Sequence, residues 1–304
     1  MSLAFRIIPV YLIMIITQLN SKKYPHNYRK VIYGSPAEIT RYPFVVALMI
    51  NALDRNDGRF SNETQFCGGS IISHTWVITS GFCITKYIIK HEIDPLDWFV
   101  RCGTTDWQAV PPQKYQKDYN VNDYYVHIKS RYNIVENFQK IHLLPPELPG
   151  FDYDVGLIKV QGKFVFNKGV SPIILAGIKF RYVEYTRCGV LGYGRTATKK
   201  DNSHLHVAKL KIENYTVCKE MYRNIGYTIT ERMFCAGFLE GGPNSCEGDT
   251  GGPLFQKFRE ALVLIGIASF SKGCGQENFP AFYTKVSKFQ DSILSYANET
   301  RFYD

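Results

Sequence analysis

The stretch Glu247-Gly248-Asp249-Thr250-Gly251-Gly252-Pro253 places a hydroxyl directly after an acid and frames both with glycines. The chain around it has little helical periodicity. Short runs rich in Val, Ile, Tyr and Phe, such as Phe44–Met49, Gly69–Ile72, Trp76–Thr79, Trp98–Arg101 and Val155–Val160, are separated by Gly, Pro, Asn and Asp. The pattern continues through Cys188–Leu191, Ala208–Ile212, Leu262–Ser269 and Ala281–Val286. Strand runs at regular spacing, with turn residues and no helices between them, read as β-barrels or a sandwich. The end of the chain differs. Phe289, Ile293 and Tyr296 recur at helical spacing and predict a C-terminal amphipathic helix.

With 304 residues, 20 Phe and 21 Tyr, the chain has ample apolar surface for one large all-β unit or two smaller ones. Met1 to Asn20 carries one arginine followed by an apolar run, Ile7 to Ile16. That run is too short to span a bilayer, so residues 1–20 read as a secretory signal rather than a signal anchor. Residues 21–30 form a short polar stretch ending in Arg29-Lys30, where a trypsin-like enzyme would cut before Val31, leaving 31–304 as the mature domain. The formal charge of +9 overstates the basicity of that domain: five basic residues and no acid precede Val31, leaving 31 basic against 27 acidic and a charge of +4. This gives no support to nucleic-acid binding. Eight cysteines in a chain with a signal point to disulfides, and with no Cys-x-x-Cys pair the sequence calls for no metal and no cofactor. Sequons at Asn62, Asn214 and Asn298 suit a secreted glycoprotein. The proline-rich segment from Tyr132 to Tyr153 lacks strand alternation and reads as a surface insertion.

Several motifs occur in the order found in chymotrypsin-like serine proteases. Val31-Ile32-Tyr33-Gly34 resembles the start of mature family members. Cys67-Gly-Gly-Ser70, Trp76-Val-Ile-Thr79 and Cys83 match the first-barrel block, and Asp154-Val-Gly-Leu-Ile-Lys159 the acidic motif. Cys188-Gly-Val-Leu-Gly-Tyr-Gly194, Cys235-Ala-Gly-Phe238 and Phe282-Tyr-Thr-Lys-Val286 follow in turn. The opening stretch is similar to the family's nucleophile loop. The resemblance runs from Val31 to about Tyr296 and implies two six-stranded antiparallel β-barrels (an all-β, trypsin-like fold) with a C-terminal helix and the site in the cleft. It also implies disulfides Cys67–Cys83, Cys218–Cys235 and Cys246–Cys274, each worth about 3 kcal/mol. Cys102 and Cys188 lack family partners; they pair with each other, bond another chain or stay reduced.

The resemblance also implies that two of three catalytic positions are changed. Phe82 stands where the family's general base is a histidine, and Thr250 where its nucleophile is a serine; Asp154 is retained. Phe82 has no titratable atom, and an alcohol without a base is a weak nucleophile. Phe82 reads as filler of the vacated slot, and Asp154 as a solvated or hydrogen-bonded acid. His74 and His142 have no motif placing them near Thr250. The N–H groups of Gly248 and Thr250 match the oxyanion hole, and Asp249 the carboxylate that pairs with a freed Val31 amine after cleavage at Lys30. Asn244 matches the base of the specificity pocket, with Ser271 and Ala281 as walls and Phe270 for the customary tryptophan, which argues against a basic side chain in the pocket. The expectation is a secreted, non-catalytic homologue, of a kind common among arthropod secreted proteins, that binds active proteases, inhibitors or their substrates as decoy or cofactor. The competing expectation is a weak endopeptidase using Thr250.

Overall fold

In the computed structural model the residues described are 34–53, 60–90, 98–130, 151–196 and 202–304. A two-residue strand, β1 (Ser35–Pro36), precedes a closed antiparallel barrel of six strands. These are β2 (Val45–Leu53), β3 (Phe60–Ile71), β4 (Trp76–Thr79), β5 (Trp98–Cys102), β6 (Lys117–Val126) and β7 (Gly156–Val160), paired in the order β2-β3-β4-β7-β6-β5. After β8 (Ile174–Ala176) come β9 (Arg187–Gly192), β10 (His206–Ile212), β11 (Met233–Gly237), β12 (Pro253–Phe258), β13 (Ala261–Phe270) and β14 (Ala281–Lys285). The run β12-β9-β10-β11-β14-β13 closes through pairing of β12 with β13, giving a second six-stranded antiparallel barrel. A short C-terminal strand, β15 (Phe302–Tyr303), pairs parallel with β8, which itself lies parallel to β13 on the outside of this barrel.

The side-chain period of two in a strand explains why β2 is apolar throughout. Val46, Leu48 and Ile50 fill the first barrel, whereas Val45, Ala47 and Met49 face the layer shared with the second. That shared layer also takes Leu157 from β7, Leu191 and Tyr193 from beside β9, Phe255 from β12 and Ile267 from β13. Both faces of these strands are dry, so neither shows polar alternation. The cleft lies where the barrel ends meet.

Three α-helices occur among the described residues. The first, α1 (Gly81–Lys90), follows β4 directly and is tied to β3 by the Cys67–Cys83 disulfide. The second, α2 (Tyr215–Arg223), starts at Asn214, whose Oδ1 accepts from Val217 N at 3.0 Å and caps the first turn. Both correct the expectation of strands without intervening helices: each is short, and α2 buries only Cys218 and Tyr222, so its periodicity is faint. The expected C-terminal helix is a 3-10 turn, Val286–Phe289, running into α3 (Gln290–Leu294). Phe289 and Ile293 are buried, but Tyr296 lies past the helix end and stacks on Tyr125 at 4.0 Å.

The three expected disulfides are present, Cys67–Cys83, Cys218–Cys235 and Cys246–Cys274. Cys102 sits in the core of the first barrel and Cys188 in that of the second; both are buried free thiols, so they do not pair with each other. Burial pushes each thiol up to about 12, which suppresses the reactive thiolate near neutral pH. A thiol reagent should therefore find no reactive sulfur in the native protein. After denaturation without reductant it should titrate two per chain, and a native count of two would show that these cores are open.

Candidate active site

Asp154 ends the loop before β7, and its side chain is fully enclosed. Ser80 Oγ donates to both carboxylate oxygens, at 2.7 and 2.8 Å. Phe82 N donates to Oδ1 at 2.8 Å, and Ser269 Oγ to Oδ2 at 2.5 Å. Burial pushes the carboxyl above its ordinary range, and these donors, with the Gly81 N–H, oppose the rise. Asp154 is thus hydrogen-bonded and not solvated, which corrects one of the two readings of it. Ser80 is the residue that sequence reasoning passed over. It stands two places before Phe82, and the signal was there: a hydroxyl in a segment that otherwise reads as buried β4 and helix start.

The segment around Asp154 is rigidly held. Tyr153 has φ +56°, an uncommon region for a non-glycine residue. Its ring lies 4.9 Å from the stacked ring of His127 and 4.3 Å below the guanidinium of Arg232. Arg232 also grips Asp152 with two hydrogen bonds, at 2.8 and 2.6 Å, so the strained residue is fixed from three sides.

Thr250 follows the loop that leads into β12. Its carbonyl oxygen accepts from Gly68 N at 2.8 Å, and Cys83 Sγ lies 3.4 Å from the same oxygen, bringing the start of α1 against the loop. That sulfur is in a disulfide, so the approach is a contact and not a hydrogen bond. Gly248 has φ +93°, and its carbonyl accepts from Gln65 Nε2 at 2.7 Å. Glu247 O accepts from Arg195 N at 2.7 Å. Among the described residues, nothing accepts from the N–H groups of Gly248 and Thr250 or bonds the Thr250 hydroxyl.

The Asp249 carboxyl turns the other way, into the body of the second barrel. It accepts from Gly194 N and Cys246 N, both at 2.8 Å. A Cβ at Gly194 or Gly192 would collide with it, which is why both positions carry glycine. The residue as a whole is half-buried, but the carboxyl itself is enclosed, and burial pushes it from 3.8 up to about 6. No cation pairs with it among the described residues; Lys30 and Val31 lie outside them.

Of the three positions matched to the specificity pocket, Asn244 and Ala281 are buried and Ser271 is half-buried. Ser271 Oγ and Tyr283 Oη both reach Ser245, the neighbour of Asn244, at 3.5 and 3.2 Å. Asn244 is 3% exposed and its Oδ1 accepts from Ser245 N. Phe270 stacks between Phe151 and Tyr227, with centroids 4.7 and 5.0 Å away. His74 is remote from this cleft, stacked on Phe166 at 4.0 Å, and His142 lies outside the described residues. Among the described residues no group of three potential ligands could hold a metal. Of the sequon asparagines, Asn298 is exposed, while Asn214 Nδ2 is engaged with Glu184 Oε2 at 2.8 Å; the Asn62 side chain lies outside the description.

The family model of trypsin matches residues 31–293. The chain is also 28% identical to human testisin over 265 residues, covering 85% of this chain and 75% of testisin. It is 28% identical to bovine coagulation factor XI over 266 residues, or 37% of that protein, and 27% identical to the ovochymase of Halocynthia roretzi, or 16% of it. The chain belongs to the trypsin family of chymotrypsin-like serine proteases.

Two outcomes follow from the buried carboxyls. Ser80→Ala should destabilise the fold by about 1–3 kcal/mol, because a buried acceptor loses its best donor; an unchanged melting temperature would show that water replaces it. For Asp249 the folded form binds its proton more tightly than the unfolded chain. The Asp249 contribution to stability is then fully present below about pH 4 and is lost, by about 3 kcal/mol, as pH rises through about 6. Denaturant titrations of wild type and Asp249→Asn across pH 4 to 7 check this: the variant should lose that part of the slope.

Proposed function

We propose that this chain is a secreted, catalytically inactive family member that acts by binding active proteases, their inhibitors or their substrates. The observation that carries the reading is the donor set of Asp154: two serine hydroxyls and the N–H groups of Gly81 and Phe82, with no imidazole among them. In the working triad the aspartate orients a histidine that takes and returns the proton. Here Ser80 satisfies the same carboxylate, and the Thr250 hydroxyl has no base among the described residues. Removing base or nucleophile from such a unit costs roughly a million-fold in turnover, about 8 kcal/mol of barrier.

The rest of the reading concerns maturation. Residues 1–20 act as a signal, 21–30 as a short propeptide, and cleavage after Lys30 frees the Val31 amine. The enclosed Asp249 carboxyl, with two N–H donors and no described cation, supports that amine as its partner, since a buried carboxylate without a counter-charge is costly. Three disulfides support an oxidising, extracellular location. No described helix is long and apolar enough to cross a membrane. Asn298 is the exposed asparagine that a glycan suits best.

The test is direct. The Lys30-cut protein should show no peptide turnover above about a millionth of an intact family member and no labelling by a fluorophosphonate. Labelling at Thr250, lost in Thr250→Ala, would overturn the proposal. Restoring Phe82→His with Thr250→Ser should recover little, because Ser80 holds the carboxylate that must orient the new ring. Adding Ser80→Ala should raise activity by about tenfold or more over that double variant.

A further inference from the structure

His127 directly follows β6 and is 8% exposed. Its ring stacks on Tyr153, with centroids 4.9 Å apart and planes at 20°, and meets the Phe289 ring edge-on at 5.4 Å. Lys129 N donates to Nδ1 at 3.2 Å, so Nδ1 carries no proton and the neutral ring keeps its hydrogen on Nε2. His127 N donates to Val155 O at 3.2 Å and Val155 N to Tyr153 O at 2.8 Å, which ties the histidine to the turn at Tyr153, φ +56°. Charged groups reach this ring from several elements. Lys129 is on its own segment, with Nζ 5.8 Å from the centre of the Tyr153 ring, and the Arg232 guanidinium, just before β11, is 4.3 Å from the same centre. Glu231 is exposed and pairs with Arg232 at 3.3 Å. Asp152 is the nearby acid, but its oxygens already take two bonds from Arg232 and one from Thr230 Oγ1 at 2.9 Å. Asp154 is committed to Ser80, Phe82 and Ser269. The 3-10 turn presents the Phe289 ring, and its Lys288 is exposed and acts on Lys285. Burial, Lys129 and Arg232 push the imidazole below its ordinary value of 6.5, and Asp152 opposes them.

We propose that His127 is an acid-operated latch on the segment 151–153: protonation of its ring frees the turn at Tyr153 and with it the aromatic wall at Phe151. The proposal holds whether or not the chain is catalytic. A proton on Nδ1 removes the acceptor of Lys129 N and turns two N–H groups on each other. It also adds a cation to a Tyr153 ring that already carries Lys129 and Arg232, while Asp152 is committed elsewhere. A non-glycine residue at positive φ persists only while its surroundings over-determine it, so loss of the His127 contact lets the turn relax. Phe151 lies two residues away, stacked on Phe270 and Tyr227, and follows the turn. The opened form binds the proton more tightly than the closed one. The closed form is therefore fully favoured above about pH 6.5 and loses that advantage as pH falls. Asp249 acts in the opposite direction, because its contribution grows as pH falls.

Two exchange measurements on the full secreted protein test this. Slow deuterium exchange at the His127 Cε1–H, read by mass spectrometry across pH 4 to 8, gives the pKa of that ring in the folded chain. It should lie below 6.5, and a value at or above 6.5 overturns the proposal. Backbone exchange in peptides covering 126–130 and 151–156, corrected for the intrinsic pH dependence of amide exchange, reports opening. Opening should rise at least threefold from pH 7 to pH 5, and one proton with an ordinary value of about 6.5 caps the rise at about 25-fold. His127→Phe keeps a stacked ring that does not titrate, and His127→Asn keeps an acceptor for Lys129 N; in each the rise should fall to less than half of the wild-type rise. A wild-type rise below threefold, or an undiminished rise in a folded variant, overturns the proposal and assigns the acid response to another group. If neither variant folds, the ring pKa and the wild-type rise still decide.

Discussion

The Asp154 carboxylate is sealed from water where the two barrels meet, and its donors come from two separate parts of the chain: the turn from β4 into α1 (residues 80–82) and β13. A charge in that position is tolerable only when its oxygens are fully bonded. Its donors therefore also fix the relative placement of α1, β7 and β13, which frame the cleft. Thr284 Oγ1 adds to this by donating to the Asp154 carbonyl at 2.9 Å. In an intact triad part of the same duty falls to an imidazole. Loss of that ring without a substitute donor would leave an acceptor unmet and cost about 1–3 kcal/mol. Ser80 fills the deficit from two residues upstream, and its hydroxyl reaches both oxygens at once. The frame around this carboxylate thus rests on two serine hydroxyls and backbone N–H groups.

Asp249 is the instructive contrast. It is enclosed like Asp154 but has two backbone donors in place of four groups, and its carboxyl is pushed to about 6. One carboxylate is met by four donor groups and the other by two. The difference lies in what surrounds them. Hydroxyls and N–H groups converge on Asp154, whereas Gly192 and Gly194 bring only bare backbone against Asp249.

Much of this was legible beforehand because the family's motifs are local. Cys67-Gly-Gly-Ser70, Asp154-Val-Gly-Leu and the nucleophile loop each name their own position, so the barrels and the three disulfides could be read from order alone. What escaped depends on contacts distant in sequence. β6, Lys117–Val126, alternates buried and exposed residues imperfectly, and its polar Asp and Asn residues hide it. α1 and α2 are too short for periodicity to announce. Ser80 looked like a strand-end polar residue because its role is set by a carboxylate 74 positions later. The fate of Cys102 and Cys188 was open for the same reason: only the fold shows that they fill different cores.

The backbone at Tyr153 shows how tightly this segment is specified. A non-glycine residue at φ +56° persists only where its surroundings over-determine it. Here His127, Arg232 and the Asp152 ion pair still do so, although no imidazole depends on the result. Relaxation would require a single substitution with a modest penalty if the segment served nothing. Its persistence beside a stacked Phe151–Phe270–Tyr227 wall means that the cleft's shape, as distinct from its chemistry, is still specified by the sequence. A surface that is rigid, aromatic on one side and rich in unpaired donors on the other is organised to hold a ground state. Interactions that hold a bound peptide equally in its ground and transition states contribute to affinity and not to rate.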